Sequence, residues 1–330
     1  MPGRPTMTDV AERAGVSRAL VSIVFRGVPG ASEQTRERVR AAAAELGYSP
    51  DRRARLLSRR RTRVLGVSFA LGHEFHAEVL AGLYRAAGAR DQELALSGTT
   101  GDRDEAAAVA DLLALRCDAL LLLGSGLSEP ALTELAASVP TVVVARATAS
   151  PRVDVVRTDD VAGAALAAQH LLDLGHTRLV HVDGGTAAGA DERRRGFRET
   201  VEAVGLGPAD TERGGLTEDE GAVAAERLLA RPDRPTGVAV FNDQSAAGLM
   251  DVLQQAGLRW PDDLSVVGYD DSPLARTRWA RLTTVRQDVE ALARLAVLRA
   301  VERVDAPDLP ARQDLVAPSL VVRASTGRPA

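Results

Sequence analysis

The chain has 330 residues, 45% of them apolar, which fits two or three domains with a sizeable core. A single cysteine rules out an intrachain disulfide, and no run approaches the roughly 20 apolar residues of a membrane span. The net charge of −4 hides an asymmetry: residues 1–63 carry 14 Arg against 6 acids, a net +8, and the rest is net −12, as expected when one end alone meets a polyanion.

The opening stretch, MPGRPTMTDV, lacks the apolar core of a secretory signal, so a cytoplasmic protein is expected. The segment TDVAERAGVSRALVSIVF, residues 8–25, reads as two short helices around a glycine turn. Thr8 is placed to cap the first, with Asp9 and Glu12 at its positive end. Val10, Ala11 and Ala14 share one face, Gly15 supplies the left-handed stop, and Val16 plugs the corner. Ser17 then caps a second helix whose inward face is Val21 and Val24, leaving Arg18, Ala19, Ser22, Ile23 and Arg26 facing outward. This is the layout of a helix-turn-helix, whose second helix enters the DNA major groove.

Ser32 caps a third predicted helix, EQTRERVRAAAAELG, with Val39, Ala42, Ala43 and Leu46 buried and Gly47 ending it. Residues 1–50 thus form a small DNA-binding head. The basic run DRRARLLSRRRTR follows, giving a hinge over 51–63. Its residues 51–59 can form a helix, but the arginines repel one another until phosphates neutralise them, so folding on DNA is expected.

From Val64 apolar runs alternate with amphipathic helices: VLGVSFA, AEVLAGLYRAAGARD, ELALSGT, EAAAVADLLALR, DALLLLG, ALTELAAS and TVVVAR. Cys117, between a helix and a buried strand, reads as a core thiol. The rhythm restarts near residue 160 with VAGAALAAQHLLDLG, RLVHVDG, ERRRGFRETVEAVG, EDEGAVAAERLLAR, GVAVFND, QSAAGLMDVLQQAG and LSVVGYDD. A late helix, DVEALARLAVLRAVERV, and a final strand, LVVRAST, close the chain. The alternation predicts two doubly wound parallel sheets, an α/β body over 64–330. One lobe is expected at about 64–158 with 289–317, the other at 159–288 with 318–330. Ligands bind beyond the carboxyl ends of such strands, so two facing halves share a cleft. Asn242, Asp243, Asp270 and Asp271 fall at strand ends there.

Head, hinge and two-lobed body in this order resemble the LacI/GalR family of bacterial transcriptional repressors. The resemblance covers about residues 6 to 326 and rests on TDVAERAGVS, SEQTRERVRAAAAELGYSP, QHLLDLGHTRLVHV, RRRGFRETV, VFNDQSAAGLM, LSVVGYDDSPL and LTTVRQD. It implies a three-helix head, a hinge helix and a periplasmic-binding-protein-like body. It also implies a homodimer, in some members a tetramer, on a near-palindromic operator, with a small effector in the cleft changing operator affinity. No leucine-heptad tail follows LVVRASTGRPA, which favours the dimer.

Carried over by position, Arg18 and Ala19 face base edges, and Ile23 either touches a thymine methyl or packs on the head. Arg26 adds a phosphate contact, while Ser17, Ser22, Ser32 and Thr35 match phosphate partners that set register. Ala54 and Leu57 match minor-groove positions, Leu57 as the wedge that opens a base step. In the cleft the resemblance places Arg193 as a clamp on hydroxyls or carboxylate, with Asn242 and Asp270 as hydrogen-bonding partners. Glu74 and His76 fall in the loop after the first strand, His76 in place of an aromatic. Arg146 remains from an Asp-Arg pair whose Asp is Ala145 here. Leu216 lies near a stacking aromatic of some sugar-binding members. Groups of both signs point to a polar effector, a sugar or sugar derivative.

Two other classes fit less well. A periplasmic solute-binding protein lacks the head, and an enzyme lacks a motif. GSGLSE is a poor dinucleotide fingerprint; His170, His176 and His181 lack zinc-like spacing, and no nucleophile elbow is present. No cofactor or metal is expected. Nor is acid–base catalysis by Asp159-Asp160 or Asp270-Asp271, whose neighbours point apart along the chain.

Overall fold

The computed structural model describes residues 5–26, 29–48 and 61–329, with the side chain of Arg26 outside that set. The hinge positions Ala54 and Leu57, and the predicted helix over 51–59, lie outside the described residues. Two compact units are present, Met1–Thr62 and Arg63–Ala330.

The head contains helices α1 (Met7–Ala14), α2 (Arg18–Arg26) and α3 (Glu33–Leu46). The first starts earlier than its sequence suggested: Thr6, not Thr8, is the cap. Thr6 and Asp9 close a reciprocal capping box, whereas Thr8 lies inside the helix. A capping box satisfies two orphan donors at once, which decides the start. Gly15 ends α1 at φ 62° and Gly47 ends α3 at φ 64°, the left-handed conformation that glycine adopts without strain. Val10, Ala11, Ala14, Val21, Val24, Val39, Ala42 and Ala43 form the core, with Val16, Phe25, Leu46 and Tyr48 packed around it.

The body has two six-stranded sheets. The first runs β11-β5-β4-β3-β1-β2. Its strands are β1 (Val64–Ala70), β2 (Glu93–Thr99), β3 (Ala119–Leu123), β4 (Thr141–Val144), β5 (Asp154–Thr158) and β11 (Gln313–Val316). The second runs β12-β10-β9-β8-β6-β7. It holds β6 (Leu179–Asp183), β7 (Asp210–Arg213), β8 (Gly237–Val240), β9 (Ser265–Asp270), β10 (Thr283–Arg286) and β12 (Ser319–Val321). All pairings are parallel except β10 with β12. Helices cover the sheets, so central strands such as β3 are buried at every residue and read as unbroken apolar runs. The chain crosses between the sheets three times, after β5, after β10 and between β11 and β12.

Between the first two strands lies α4 (Glu74–Gly88); α5 (Glu105–Ala114) and α6 (Glu129–Ser138) complete the helices N-terminal to β5. The second sheet carries α7 (Asp160–Asp173), α8 (Ala190–Ala203), α9 (Glu218–Leu229) and α10 (Asp243–Gln255); α11 (Val289–Asp305) returns to pack on the first. A Cβ on Gly248 would sit 1.8 Å from the carbonyl oxygen of Glu218, so glycine alone permits the approach of α9 and α10. Cys117 is buried, its thiol pushed up to about 11 by burial.

Candidate functional site

A cavity of about 180 Å³ opens where the carboxyl ends of both sheets meet. From the first sheet come Ala70, His73, Phe75, His76, Gly124, Ala145 and Arg146; from the second come Ala187, Ala188, Arg193, Leu216 and Asp270. Gln287, in the crossing after β10, completes the wall.

Arg193 is its most constrained group. It projects from the first turn of α8 and is only 5% exposed. Its Nε donates to Asp160 Oδ1 at 2.8 Å and its Nη1 to the Phe241 carbonyl at 2.6 Å. The guanidinium carbon lies 3.5 Å from the centroid of the Tyr269 ring and 4.5 Å from that of Phe241. Burial opposes its charge, but Asp160, with Tyr269 and Asp270, outweighs burial and holds the pKa above its ordinary value. Nη2 makes no hydrogen bond among the described residues, so a fixed cation keeps a free donor edge in a cavity-lining side chain.

Asp270 closes β9 with φ 112° and is almost buried. Gln287 Nε2 donates to its Oδ1 at 2.7 Å, and Thr158 donates its hydroxyl to Gln287 Oε1. Burial pushes the Asp270 carboxyl up to about 7, with Arg193 and Gln287 offsetting part of the effect. Asp271, next along the chain, turns away to Arg276, Arg286 and Arg323.

Glu74 and His76 belong to the first turn of α4 rather than to a loop. Burial of Phe75 against the first sheet's core draws the helix start back to Glu74. His76 Nδ1 accepts from the Ala70 amide at 3.1 Å, which leaves the proton on Nε2, beside Gly124. Burial holds this imidazole near a pKa of about 3, so it is neutral and a donor. His73 stacks on it with ring centroids 4.3 Å apart, and His73 Nδ1 is buried without a hydrogen-bond partner among the described residues.

Of the sequence candidates, His76, Arg146, Arg193 and Asp270 come together in this wall. Glu74 and Asn242 do not line it. Asn242 caps α10, accepting from the Ser245 amide and donating to the Leu216 carbonyl, so its amide is engaged in positioning the Leu216 loop. Glu74 is raised by burial, with Glu218 reinforcing the shift. His73 and Gln287 were missed. Two histidines three residues apart in HEFH, a spacing that puts them on one face of a helix start, were the available signal for His73. Arg194, the neighbour of Arg193, pairs with Asp183 and Asp191.

In the head, Arg18 and Ala19 are exposed at the start of α2. Arg18 makes no hydrogen bond or ion pair among the described residues. Ser22 and Ile23 are half-buried, and a Cβ on Gly30 would lie 3.5 Å from Ile23 Cγ2, so Ile23 rests against that segment. Ser17 Oγ accepts from the Leu20 amide, and Ser32 Oγ accepts from Thr35 N and lies 2.9 Å from the Thr35 hydroxyl. These hydroxyls sit at helix N-termini, whose dipoles suit phosphate.

Residues 6–51 match the bacterial regulatory proteins of the lacI family, and residues 168–326 match a periplasmic binding protein-like domain. The ribose operon repressor of Escherichia coli (strain K12) is 34% identical over 327 residues, spanning 97% of this chain and 99% of its own. This chain belongs to the LacI family of bacterial transcriptional regulators. A solved LacI transcriptional regulator from a Rhodococcus species is 43% identical, with TM-score 0.78 over 80% of this chain and 98% of that one. The lac repressor dimer, solved bound to operator and the anti-inducer ONPF, is 28% identical, with TM-score 0.86 over 98% and 100% of the two chains. The protein is accordingly a DNA-binding, ligand-responsive transcriptional repressor of that family, and not an enzyme. Among the described residues no cluster of side chains could hold a metal ion, and no helix is long and apolar enough to cross a membrane.

Proposed function

We propose that this LacI-family repressor acts in the cytoplasm as a homodimer on a near-palindromic operator, and that its effector is a small polyhydroxylated molecule, a sugar or sugar derivative. The observation that carries the effector reading is the cavity wall itself. Arg193 Nη2 and His76 Nε2 are free donors, and Asp270 keeps one free acceptor oxygen, all at the meeting of two sheets' carboxyl ends. Such mixed polarity suits hydroxyls, which both donate and accept. Relatives support it: one is a ribose operon repressor, and the lac repressor is a dimer on operator DNA. The working parts are a head over 1–50, a hinge over 51–63 and the body over 64–330, with lobes of about 64–158 plus 289–317 and 159–288 plus 318–330.

Arg18 and Ala19 read bases, with Ile23 offering an apolar edge to a thymine methyl. Ser17, Ser22, Arg26, Ser32 and Thr35 hold phosphates, and Ala54 and Leu57 enter the minor groove. Arg18→Ala is expected to weaken operator binding about 5- to 150-fold, the roughly 1–3 kcal/mol of a bidentate base contact. Fluorescence anisotropy on operator, selected from a random pool by the wild-type protein, measures it. A loss that is equal on operator and on random DNA reassigns Arg18 to phosphate.

The effector binds one body conformation better than the other and so shifts operator affinity. Operator titrations with and without D-ribose, D-glucose, D-galactose and their acids test this. An operator affinity unchanged by all of them rejects the reading. Binding also reports on Asp270. Hydroxyls donate to its ionised form, so bound ligand pulls its pKa down from about 7, and affinity is lost as pH falls through 7. Calorimetry should find about tenfold weaker binding at pH 6 than at pH 8, the span of one group with that free-state pKa. His76, neutral throughout that window, does not contribute. Asp270→Asn should flatten the profile; a profile of unchanged slope in that variant assigns the titration elsewhere.

A further inference from the structure

We propose that the effector of this repressor is an anionic monosaccharide, a single sugar unit bearing a carboxylate or phosphate that seats on Arg146. The inference rests on the sugar reading above and narrows it.

Arg146 follows the end of β4 and lines the cavity, half-buried. Several other half-buried arginines of the body have acids within 4 Å: Arg157 has Glu192, Arg231 has Asp210 and Glu212, Arg299 has Asp314, and Arg312 has Asp154 and Glu302, whereas Arg90, away from the cavity, has none among the described residues. Arg146 has no hydrogen bond and no ion pair among the described residues. Its chain neighbour Ala145, at φ 65°, contributes only a methyl group to the same wall.

The rest of the wall does not balance it. Arg193 is paired with Asp160, and the two stacked histidines are held neutral by burial. Asp270 is partly protonated at neutral pH and is already tied to Gln287. Glu129 senses the Arg146 charge, but its carboxylate accepts from the Thr148 hydroxyl and the Ala149 amide. Glu74 lies toward Glu218, and Glu78 toward Arg276 and Asp271. The cavity therefore carries one arginine with no carboxylate in direct contact among the described residues, its nearest electrostatic counterweight being Glu129, which is engaged elsewhere.

Closing a neutral ligand over such a group desolvates a cation without a partner, which is costly. A carboxylate or phosphate meets the planar guanidinium through two parallel hydrogen bonds and cancels its charge. The remaining polar atoms are suited to ring hydroxyls: Arg193 Nη2 and His76 Nε2 donate, while Asp270 accepts. Size sets the other limit. About 180 Å³ is well under the roughly 300 Å³ at which pockets begin to hold drug-sized ligands, leaving room for one sugar ring rather than two.

Calorimetry on the full-length protein tests this with three anionic probes, D-glucuronate, D-galacturonate and D-glucose 6-phosphate, against the neutral D-glucose and D-galactose. At least one anionic probe should bind 30-fold or more tighter than its neutral counterpart. Uronates leading point to a carboxylate, and the phosphate ester leading points to a phosphate. Arg146→Gln should erase that preference, the anionic probe losing at least tenfold more affinity than its neutral counterpart, with the melting temperature serving as a check on folding. If a neutral sugar binds best and Arg146→Gln leaves the order of affinities intact, the anion seat is wrong and the sugar reading survives. If none of the five probes binds, and D-ribose and its acid likewise leave operator affinity unchanged, the sugar reading fails and this inference with it; if only D-ribose binds, the sugar reading survives and the anion seat is wrong.

Discussion

Arg193→Ala is expected to abolish the response to effector and, at the same time, to lower the stability of the body by about 3–5 kcal/mol. The cause is the company the guanidinium keeps. Removing it strands Asp160, 3% exposed, without its cation, leaves the Phe241 carbonyl without its donor, and uncovers the Tyr269 and Phe241 rings it lies between. By differential scanning calorimetry the transition should fall by about 6–20 °C, at roughly 2–4 °C per kcal/mol for a unit of this size. The alanine variant alone therefore cannot separate ligand binding from folding. Pairing Arg193→Gln with Asp160→Asn removes both charges together and should recover much of the melting temperature. The effector response should stay absent in that double variant. A normal induction curve there would falsify the role of Arg193 in holding the ligand.

Val21→Asp is expected to eliminate operator binding while the body keeps its effector affinity within twofold. Val21 is fully buried in a core of eight small and medium side chains. A carboxylate there finds no cation within that core, and the penalty for an unpaired buried charge runs to several kcal/mol. A unit of some sixty residues has little stability to set against it. Anisotropy on operator and calorimetry on the effector read the two outcomes separately. Operator affinity within threefold of wild type rejects the idea that the head folds on this core. Lost effector binding shows instead that head and body fold as one.

The fold was legible where local chemistry and periodicity agree. Gly15 and Gly47 mark left-handed helix stops, and the apolar runs of β1, β3 and β8 are the kind of strand that only a doubly covered sheet buries. It was illegible where an element owes its existence to neighbours. Edge strand β7, DTER, and strand β11, QDLV, carry little apolar signal and are ordered by pairing with β6 and β5. The same division holds at the cavity. Arg193 and Asp270 stood out through resemblance, but no spacing in the chain announces that Asn242 is engaged in capping a helix. Gln287 shows the limit most clearly. It lies in a quoted motif, yet its meaning depends on Thr158, 129 positions earlier, and on Asp270.

The three crossings between the sheets carry a consequence in time. The first sheet is edged by β11, so a chain emerging from the ribosome lacks that strand until residue 316 is made. The second sheet waits for β12, which ends at Val321. Helix α11, which supplies Leu292, Ala293, Ala296 and Val297 to the first sheet's core, also arrives late. During synthesis the head can therefore fold long before either half of the body is complete. A nascent or truncated chain would present a DNA-reading end with no finished ligand cavity to govern it, so control over the operator arrives only with the last few dozen residues.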